Sequence, residues 1–393
     1  MSGPLQGIRV LDLSSMISGP LATMLLGDQG AEVIKVEAPG IGDLVRGIGM
    51  PAGFSPTFLT ANRNKRSIVL DLKRPGGRRV VERLVERADV FVQNLRPGVI
   101  ERMGLGEDVV RRIRPNIVYV SISGFGETGP YAHKRVYDPV IQALSGLASI
   151  QGDRETGRPR MVRTIVPDKL TAMTAAQAIT AALLARERSG QGQHVRLAML
   201  DAMVSFLWAE GMAGHTYVDA GPRKPRPPQK RDLVFQASDG YMTAGTVSDG
   251  EWAGFCRAAG HPEWIDDERF ATTAARIRNW DARLELMQSV IETASVDEWL
   301  ERLDAEQVPC GPILSRRGVI EHPQIAANEL IVEGEHPHVG RIRQTRPAAR
   351  FSETPAEIRR PAPALGEHTD ELLSEAGYAA DEIAALRQEG ALG

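Results

Sequence analysis

The sequence predicts an α/β protein in which a large domain with an open, mostly parallel sheet is joined to a smaller α+β domain. The first observation is that short β-rich runs alternate with helical stretches through the first part of the chain, which is typical of parallel sheets covered by helices. The second is the length of 393 residues, which exceeds the usual size of one hydrophobic core and favours two domains. The third is the segment AGPRKPRPPQKRD (220–232), whose four prolines and five cations cannot build a core.

Five runs in the first part of the chain are predicted strands. They are IRVLDL (8–13), AEVIKVE (31–37), RSIVLDL (66–72), ADVFVQNL (88–95) and NIVYVSISGF (116–125). Segments with helical spacing lie between them, such as GGRRVVERLVERA (76–88). Because ligands of such Rossmann-like sheets bind at the carboxyl ends of the strands, the site is expected at the loops that follow Leu13, Glu37, Leu72, Leu95 and Phe125.

The rest of the large domain is predicted to be helical. A stretch of small and aliphatic residues (172–185) continues into RERSGQGQHVRLAMLDAMVSFLWAEGM (186–212). That segment is interpreted as a glycine-containing turn followed by a second amphipathic helix. The first part of the large domain therefore covers 1–219, and 220–232 is the first of two linkers.

A smaller α+β domain is predicted for 233–330. VFQASDGYMTAG (234–245) has the pattern of a hairpin, and helical stretches follow around 252–259 and 282–305. A second linker (331–363) returns the chain to the large domain. There HTDELLSEAGYAADEIAALRQEG (368–390) predicts two short helices within the segment 364–393.

Composition excludes several classes of protein. The formal net charge of −3 and the absence of a nucleic-acid-binding motif argue against a nucleic-acid partner. Cys256 and Cys310 are far apart and lack metal-ligand spacing, so neither a disulfide framework nor a metal site is expected. The start MSGPLQGIRV does not resemble a signal peptide, and 172–185 is too short to span a bilayer. A soluble, cytoplasmic protein without a membrane partner is expected.

The first strand-helix unit invites comparison with dinucleotide-binding proteins. Their fingerprint needs three glycines in the pattern GxGxxG so that the backbone can approach a pyrophosphate. Here Gly19 is followed by Pro20, and the next glycine is Gly27, which disfavours a dinucleotide. The stretch from Ser18 to Pro20 instead predicts a helix start whose free N–H groups can face an anion.

Asp168 stands alone at the head of the longest helical stretch, after a valine-proline pair. One interpretation is a helix N-cap, which contributes about 1 kcal/mol. The other is a carboxylate nucleophile, kept ionised by the helix dipole and left accessible by small neighbours. The residues around Asp168 do not by themselves decide between the two.

The motifs of the whole chain do bear on that choice, because together they resemble the class III coenzyme A transferases. This superfamily includes formyl-CoA transferase, carnitine CoA-transferase and the related α-methylacyl-CoA racemases. The resemblance covers nearly the whole chain and is weakest in the small domain. Its motifs are LQGIRVLDLSSMISGPLATMLLGDQGAEVIKVE (5–37), NRNKRSIVLDLK (62–73), VQNLRPGVIERMGLG (92–106), VSISGFGETGPY (120–131), YDPVIQALSGL (137–147), RERSGQGQHVRLAMLDA (186–202), VPCGPILS (308–315) and LGEHTDELL (365–373).

The resemblance implies a covalent mechanism at Asp168. In the family, the aspartate at this position attacks an acyl-CoA thioester to form a mixed anhydride, and the CoA thiolate converts the anhydride into an aspartyl-CoA thioester. An acceptor carboxylate then collects the CoA. The family also implies an interlocked homodimer, with CoA and acyl-CoA as substrates and no permanently bound cofactor. The donor is expected to be an acyl-CoA such as succinyl-CoA, and the acceptor a small or medium carboxylic acid.

The resemblance also implies which residues contact CoA. They follow the predicted strands and lie in the loops named above, and three of them (Lys73, Arg102 and Arg135) are cations suited to phosphate groups. The full set is Met16, Ile17, Leu70, Lys73, Asn94, Leu95, Arg102, Met103, Arg135 and Met199.

Tyr137 separates the transferases from the racemases. The racemases resemble this chain but place a histidine at this position as a second base. A tyrosine with an ordinary pKa of about 10 is a poor proton acceptor at neutral pH, so a transferase is favoured over an epimerase of 2-methylacyl-CoA. A catalytically silent CoA-binding protein is the remaining alternative. Ile17 replaces the glutamine of formyl-CoA transferase, and no glycine tract lies between 212 and 245, which argues against oxalate and formate as substrates.

Overall fold

A six-stranded parallel sheet forms the centre of the larger of two compact units in a computed structural model, which describes residues 3–47, 53–219 and 230–393. The strand order is β3-β2-β1-β4-β5-β6, the order of the doubly wound nucleotide-binding fold. The predicted α/β class with a parallel sheet is therefore confirmed. The strands are β1 (Arg9–Asp12), β2 (Glu32–Glu37), β3 (Lys65–Val69), β4 (Val90–Gln93), β5 (Val118–Ser123) and β6 (His194–Ala198).

The helices of this unit lie between the strands, as the alternation of the sequence predicts. Their bounds are α1 (Ser18–Asp28), α2 (Pro56–Ala61), α3 (Pro75–Val85), α4 (Val99–Arg102), α5 (Glu107–Ile113), α6 (Asp138–Leu144), α7 (Leu147–Ile150), α8 (Val166–Ser189) and α9 (Met199–Trp208). The unit comprises Met1–Gln151, Arg160–Tyr217 and Glu329–Gly393.

The sheet is buried on both faces. Successive side chains of a strand point to opposite faces, so Leu11 joins one apolar cluster with Val80 of α3, and Val10 joins the other with Ile179 of α8. Helix α8 packs along α1, and its inward positions are mostly small residues such as Ala172 and Ala175. The alanine-rich composition thus serves close helix packing on the second face.

The sixth strand corrects one prediction from the sequence. The segment after α8 was expected to be a turn and a helix, but His194–Ala198 pairs in parallel with β5, and α9 begins only at Met199. An edge strand needs one partner and tolerates exposed polar side chains, so HVRLA carries little β signal of its own. Gly192 allows the chain before β6 to pass close to the backbone of Ile117, because a Cβ at this position would lie 2.2 Å from the carbonyl oxygen of Ile117.

The second unit comprises Gly152–Pro159 and Val218–Asn328. Its three-stranded antiparallel sheet contains β7 (Phe235–Gln236), β8 (Tyr241–Ala244) and β9 (Cys310–Pro312), and β7 and β8 form the predicted hairpin. The predicted helix at 282–305 is two helices, because Ser295 caps a new start with a capping box. The helices are α10 (Asp249–Ala258), α11 (Thr273–Arg278), α12 (Trp280–Ile291), α13 (Val296–Ala305), α14 (Arg316–Glu321) and α15 (Pro323–Ala327).

The first half of the segment predicted as a return linker (331–363) is an antiparallel hairpin. It consists of β10 (Ile331–His336) and β11 (Gly340–Thr345), with Gly340 in the left-handed conformation at the turn. His336 is buried and its Nε2 lies 2.9 Å from the carbonyl oxygen of Ala362. A linker prediction from prolines missed this pairing, since Pro337 lies in the turn of the hairpin and the other prolines of the segment lie beyond it. Most of the other predicted linker, 220–229, lies outside the described residues.

The two predicted C-terminal helices are confirmed as α16 (Thr369–Glu375) and α17 (Ala380–Gln388). Leu372 and Leu386 join the apolar cluster on the α3 face of the sheet. The chain end extends this contact, because the N–H of Asp71 donates to the carbonyl of Ala391 at 2.9 Å. No helix within the described part of the chain is long and apolar enough to cross a membrane.

Candidate functional site

The loop after β1 lies where the strand order reverses, between β1 and β4. Doubly wound sheets bind ligands at this point. Asn94, which follows β4, holds the loop with both ends of its amide: Nδ2 donates to the carbonyl of Ser15 at 2.7 Å, and Oδ1 accepts from the N–H of Ser15 at 2.9 Å. Asn94, predicted from the sequence as a CoA contact, is therefore also the residue that orders the loop.

Met16 adopts the left-handed conformation, with a φ of 69°. Such a conformation is uncommon for a residue with a side chain and needs support from its surroundings. The N–H of Met16 donates to Oδ1 of Asp43 at 3.0 Å, which supplies part of that support. Gly19 is required nearby, because a Cβ at that position would lie 2.3 Å from the side chain of Ser14. The backbone of the 14–19 segment is thus held in one conformation at the end of β1.

Four buried charged side chains lie beneath this loop. The carboxylate of Asp12 accepts from Nζ of Lys65 at 2.9 Å, and Nζ of Lys35 donates to the carbonyl of Ser14 at 3.0 Å and to Asp43 at 2.8 Å. Burial alone would raise the pKa of Asp12, but Lys65 and Lys35 hold it well below its usual range. Burial lowers the pKa of Lys65 to about 8, against the attraction of Asp12. This network, which the sequence analysis missed, anchors the loop from below.

Asp168 is not the N-cap of its helix. The cap position of α8 is Ile165, so Asp168 is the third helical residue, with Pro167 before it. The acceptor for its N–H is instead the carboxylate of Asp138, whose Oδ2 lies 3.3 Å away. The interpretation of Asp168 as a cap therefore fails. Its side-chain carboxylate accepts no hydrogen bond from any residue that the structure describes.

Asp138 and Gln142 connect two helix starts. Nε2 of Gln142 donates to Oδ1 of Asp138 at 2.6 Å, and Oε1 of Gln142 accepts from the N–H of Val162 at 2.9 Å. Both side chains belong to buried residues of α6. The pair therefore ties α6 to the segment that enters α8, and so sets the position of Asp168. The contacts that α6 makes with Val162 and Asp168 join residues 20 and 30 positions apart, so no local sequence pattern carries a signal of them.

Burial and the negative charge of Asp138 raise the pKa of Asp168 to about 6. Both effects disfavour the carboxylate form. Asp168 nevertheless remains mostly ionised at pH 7, since the pH then exceeds the pKa. A carboxylate that is incompletely solvated and lacks a hydrogen-bond donor is a better nucleophile than one in water.

A cavity of about 150 Å³ contains Asp168. Six of the residues predicted from the sequence lie together on its wall: Met16, Asn94, Leu95, Tyr137, Asp168 and Met199. Tyr137 is 66% exposed and precedes α6 directly. The wall also includes residues that the sequence analysis did not select, namely Ser15, Ser18, Arg96, Pro97, Ile122, Ser123, Gly124, Ala132, Lys134 and Val136.

A second cavity of about 240 Å³ adjoins the first, since Ser15 and Leu95 line both. Three further predicted residues, Leu70, Lys73 and Met103, lie on its wall. The lining is mainly apolar, with leucines 13, 44 and 72 as further members. Nine of the predicted residues, from Asp168 to Lys73, thus lie on the walls of two adjoining cavities.

Three predicted CoA contacts line neither cavity: Ile17, Arg102 and Arg135. The side chain of Ile17 packs instead against an apolar cluster that contains Phe54 and Phe58. Arg102 ends α4 on the surface, and Arg135 is also exposed. The cations that line the same cavity as Asp168 are Arg96 and Lys134. Each is a near neighbour in the chain of a predicted residue, so the sequence located the loops but not the side chains.

The comparisons with known proteins agree with this geometry. The model of CoA-transferase family III matches residues 5–369. The chain is 37% identical to succinyl-CoA:glutarate CoA-transferase of Mus musculus, over 95% of this chain and 86% of the relative. It is 33% identical to formyl-CoA:oxalate CoA-transferase of Bradyrhizobium diazoefficiens, over 100% of this chain and 98% of that relative. A crystal structure of a CAIB/BAIF family protein from Brucella suis superposes with a TM-score of 0.83 at 32% identity, over 96% of this chain and 100% of that one.

An open parallel sheet with a carboxylate in a cavity at its switch point, on a chain with these relatives, defines an enzyme that transfers coenzyme A. The chain belongs to CoA-transferase family III. The family predicted from the motifs of the sequence is confirmed.

Replacing Asp138 with asparagine is expected to shift the pH dependence of the enzyme. Removing the negative neighbour lowers the pKa of Asp168, while burial continues to raise it. Asp168 then ionises at a lower pH, so the acid limb of kcat/KM moves to lower pH. The measurement is the pH profile of transfer, with Asp201→Asn, an exposed acid of α9, as the control that leaves the midpoint unchanged. A midpoint for Asp138→Asn equal to that of the unmodified protein would rule out this coupling.

Proposed function

We propose that the chain moves CoA from a donor acyl-CoA to a carboxylic acid through covalent intermediates on Asp168. The observation that carries the proposal is the state of this carboxylate. It lies partly buried on the wall of a cavity, without a hydrogen-bond donor among the described residues. A structural carboxylate in such surroundings would be paired or capping. An unpaired one is suited to attack a ligand that enters the cavity.

The reaction requires no net proton transfer. An oxygen of Asp168 attacks the thioester carbonyl and the C–S bond breaks. This step releases the CoA thiolate and forms an anhydride between the acyl group and Asp168. The thiolate attacks the aspartyl carbonyl, which releases the donor acid and forms an aspartyl-CoA thioester. The acceptor carboxylate attacks the aspartyl carbonyl of this thioester, its C–S bond breaks, and the CoA thiolate is released as an acceptor-aspartyl anhydride forms. The thiolate then attacks the acceptor's carbonyl carbon, which gives the product acyl-CoA and releases the Asp168 carboxylate. Covalent catalysis divides the transfer into easier steps, and exclusion of water prevents hydrolysis of the intermediates.

Coenzyme A follows the two joined cavities in this proposal. The thioester lies at Asp168, and the pantetheine arm passes Ser15 and Leu95 into the apolar second cavity. Lys73, exposed at its wall, meets a phosphate group. The first turn of helix α1 lies at the site, since Ser18, the first residue of α1, lines the cavity. The N–H groups of that turn lack helical acceptors and can stabilise an oxyanion. CoA is a substrate here, and the proposal requires no resident cofactor.

Succinyl-CoA is the donor that the relatives favour. Two of the similar proteins are named for transfer between succinate and glutarate, from mouse and from Agrobacterium fabrum, each at 36% identity or above. The formyl-CoA:oxalate relatives are named for a different pair. Ile17 in place of a glutamine and the absence of a glycine tract between 212 and 245 argue against formate and oxalate. We therefore propose a carboxylic acid larger than oxalate as the acceptor, in a cytoplasmic enzyme.

The adduct on Asp168 tests the function. The protein is incubated with succinyl-CoA, quenched with hydroxylamine, and the peptide that contains Asp168 is weighed by mass spectrometry. A hydroxamate at Asp168, together with CoA transfer to an added carboxylate, is the expected result. An epimerase would instead incorporate solvent deuterium at the α-carbon of a 2-methylacyl-CoA. Tight CoA binding without an adduct or transfer would point to a silent binding protein.

The assembly is proposed from the family resemblance. In this proposal residues 1–219 and 364–393 form the large domain, 233–330 form the small domain, and linkers at 220–232 and 331–363 close each chain around its partner in an interlocked homodimer. Light scattering on the full chain is expected to give the mass of two chains without a monomer at micromolar concentration. A monodisperse mass of one chain, 42.8 kDa, would contradict the dimer.

A further inference from the structure

Asp43 connects the two cavities of the proposed CoA path. The residue is buried and lines the second cavity, but it does not line the cavity of Asp168. Its carboxylate acts on that first cavity through the backbone of Met16, which is part of the wall: Oδ1 of Asp43 accepts from the N–H of Met16 at 3.0 Å. Asp43 can therefore set the shape of the reacting loop without touching the reacting atoms.

The carboxylate of Asp43 is held in place by other buried residues. Its Oδ2 accepts from Nζ of Lys35 at 2.8 Å, and its Oδ1 also accepts from the N–H of Val45 at 3.2 Å. The N–H of Asp43 donates to Oε2 of Glu37 at 3.0 Å, and Glu37 is bound by Arg46 through two hydrogen bonds of 2.7 Å. Because all four partners are buried, the position of Oδ1 is fixed.

Met16 depends on this acceptor. Its φ of 69° lies in the left-handed region, which residues with a side chain disfavour. Among the residues that the structure describes, Asp43 provides the one acceptor for the N–H of Met16. Ser14 and Ser15, which precede it, are held by other groups. Loss of the Asp43 acceptor thus frees Met16 to return to negative φ while the residues before it stay anchored.

The residues that follow Met16 carry the free N–H groups of the site. The N–H groups of Ile17, Ser18 and Gly19 donate to no acceptor in the described part of the chain, and no side chain caps the start of α1. Ser18 lines the same cavity as Asp168. A change of φ at Met16 turns these groups relative to Asp168, because they come directly after it in the chain. Donors to an oxyanion are effective only when they are fixed in advance, and a misplacement of about 1 Å can cost about a hundredfold in rate.

We infer that Asp43 is a positioning residue for CoA transfer, which acts through the N–H of Met16 to hold the first turn of α1 in the orientation that stabilises the oxyanion. This inference rests on the proposed function and assigns the residue that pre-organises its site. Nζ of Lys35 neutralises the carboxylate of Asp43 at 2.8 Å, so the residue supplies geometry rather than charge. An oxyanion forms in the first attack on the thioester, so the effect is expected in the formation of the Asp168 adduct.

A pair of double variants isolates the acceptor. Lys35→Met/Asp43→Asn and Lys35→Met/Asp43→Ala both remove the two buried charges together, but only the asparagine retains an oxygen for the N–H of Met16. The rate of Asp168 adduct formation is measured in a single turnover at saturating succinyl-CoA, and the affinity for CoA is measured separately by calorimetry. The alanine member is expected to be slower by about 10- to 100-fold, while the two dissociation constants for CoA differ by less than about threefold.

Met16→Gly tests whether the acceptor acts through Met16. Glycine adopts positive φ about as readily as negative φ, so its backbone needs less support. With Met16→Gly added to both double variants, the difference in rate between asparagine and alanine is expected to fall below about threefold.

The matched control is another buried ion pair, Asp28 with Arg63, which lies at the opposite end of α1 and lines neither cavity. Arg63→Met/Asp28→Asn and Arg63→Met/Asp28→Ala are expected to form the Asp168 adduct at equal rates.

Asp43→Asn alone provides a second variant that preserves the volume of the side chain, should the alanine member fail to fold. Its single amide oxygen cannot meet both Lys35 and Met16, and the ammonium makes the stronger hydrogen bond. Adduct formation is therefore expected to slow by about tenfold or more, and to recover when Lys35→Met is added.

Three results would overturn the inference while the unmodified protein still forms the adduct on Asp168. One is an equal saturated rate for the asparagine and alanine members, or no recovery of Asp43→Asn by Lys35→Met. Another is a pair that differs in CoA affinity but not in rate, which would assign Asp43 to the wall of the second cavity alone. The third is a difference in rate that survives Met16→Gly, which would place the effect at Val45 or elsewhere in the fold. If the unmodified protein forms no Asp168 adduct with any donor, the proposed function fails, and the inference with it.

Discussion

Replacing Asp168 with asparagine is expected to lower CoA transfer by at least about a thousandfold and, at pH 7, to make the protein more stable by about 1–3 kcal/mol. The loss follows because an amide cannot form the anhydride. The gain follows because the carboxylate is held in unfavourable surroundings: burial and Asp138 raise its pKa to about 6. A difference of about two pKa units between folded and unfolded chains corresponds to about 3 kcal/mol, an upper limit.

The pH dependence gives this gain a distinct signature. The native state holds a proton on Asp168 more tightly than the unfolded state does, so ionisation costs stability as the pH rises from about 4 to about 6. Below pH 4 both states are protonated and the asparagine variant should match the unmodified protein. Above pH 7 the difference should be complete.

The measurement is urea unfolding at pH 4 and pH 7, alongside the transfer assay. Asp201→Asn, an exposed acid in the first turn of α9, is the matched control and should change neither quantity. An Asp168→Asn variant that keeps wild-type transfer would refute the assignment of Asp168 as the nucleophile. A variant that is less stable at pH 7 would refute the view that the ionised carboxylate destabilises the fold.

Replacing Asp12 with alanine is expected to destabilise the larger unit by about 3–5 kcal/mol. The side chain is fully buried and receives hydrogen bonds from Lys65 at 2.9 Å, from Thr23 at 2.6 Å and from Ser14. Its loss leaves the Lys65 ammonium buried with only the carbonyl of Pro20 and the amide oxygen of Asn62. An uncompensated buried charge is the source of the cost.

A double-mutant cycle separates this effect from a simple cavity. Lys65→Met in the same chain removes the charge that Asp12 leaves unpaired, so the double variant should be more stable than Asp12→Ala alone. The loop from Ser14 to Met16 rests on the same network, and the KM for acyl-CoA should therefore rise in the single variant. Unfolding in urea, followed by the fluorescence or circular dichroism of the full chain, provides the free energies. A loss of less than about 1 kcal/mol in the free energy of unfolding for Asp12→Ala would show that the Asp12–Lys65 pair does not support the stability of the fold.

The strands that the sequence predicted correctly are those that carry dense apolar signal. Runs such as AEVIKVE and ADVFVQNL became β2 and β4 within two residues of their predicted bounds. β6 was not predicted, because an edge strand is half exposed and its five residues include a histidine and an arginine. The hairpin at 331–345 was not predicted, because its outward-facing residues are charged and apolar content alone does not reveal it.

The motifs of the sequence predicted the loops around this cavity more accurately than they predicted which side chains line it. Motifs placed Asp168, Tyr137 and Asn94 in one cavity, since loops at the carboxyl ends of parallel strands meet at one edge of the sheet. The cations on the wall of this cavity are Arg96 and Lys134, whereas Arg135 is not part of the lining. A shift of one residue in an irregular loop reverses which side chain faces inward, and no periodic pattern records it.

The sequence by itself determined the family and the parallel sheet, because these depend on local motifs and on alternating apolar runs. Through the family resemblance it also predicted Asp168 as the reactive residue. Only the tertiary structure decided what surrounds that aspartate. Asp138 of another helix accepts a hydrogen bond from its N–H, and Gln142 of that helix binds both Asp138 and the segment before α8. The buried charges of Asp12, Lys35 and Lys65 support the facing loop from three different strands. Such contacts join residues distant in the chain, and their energies depend on burial and on distances of a few ångströms, which exist only once the chain has folded.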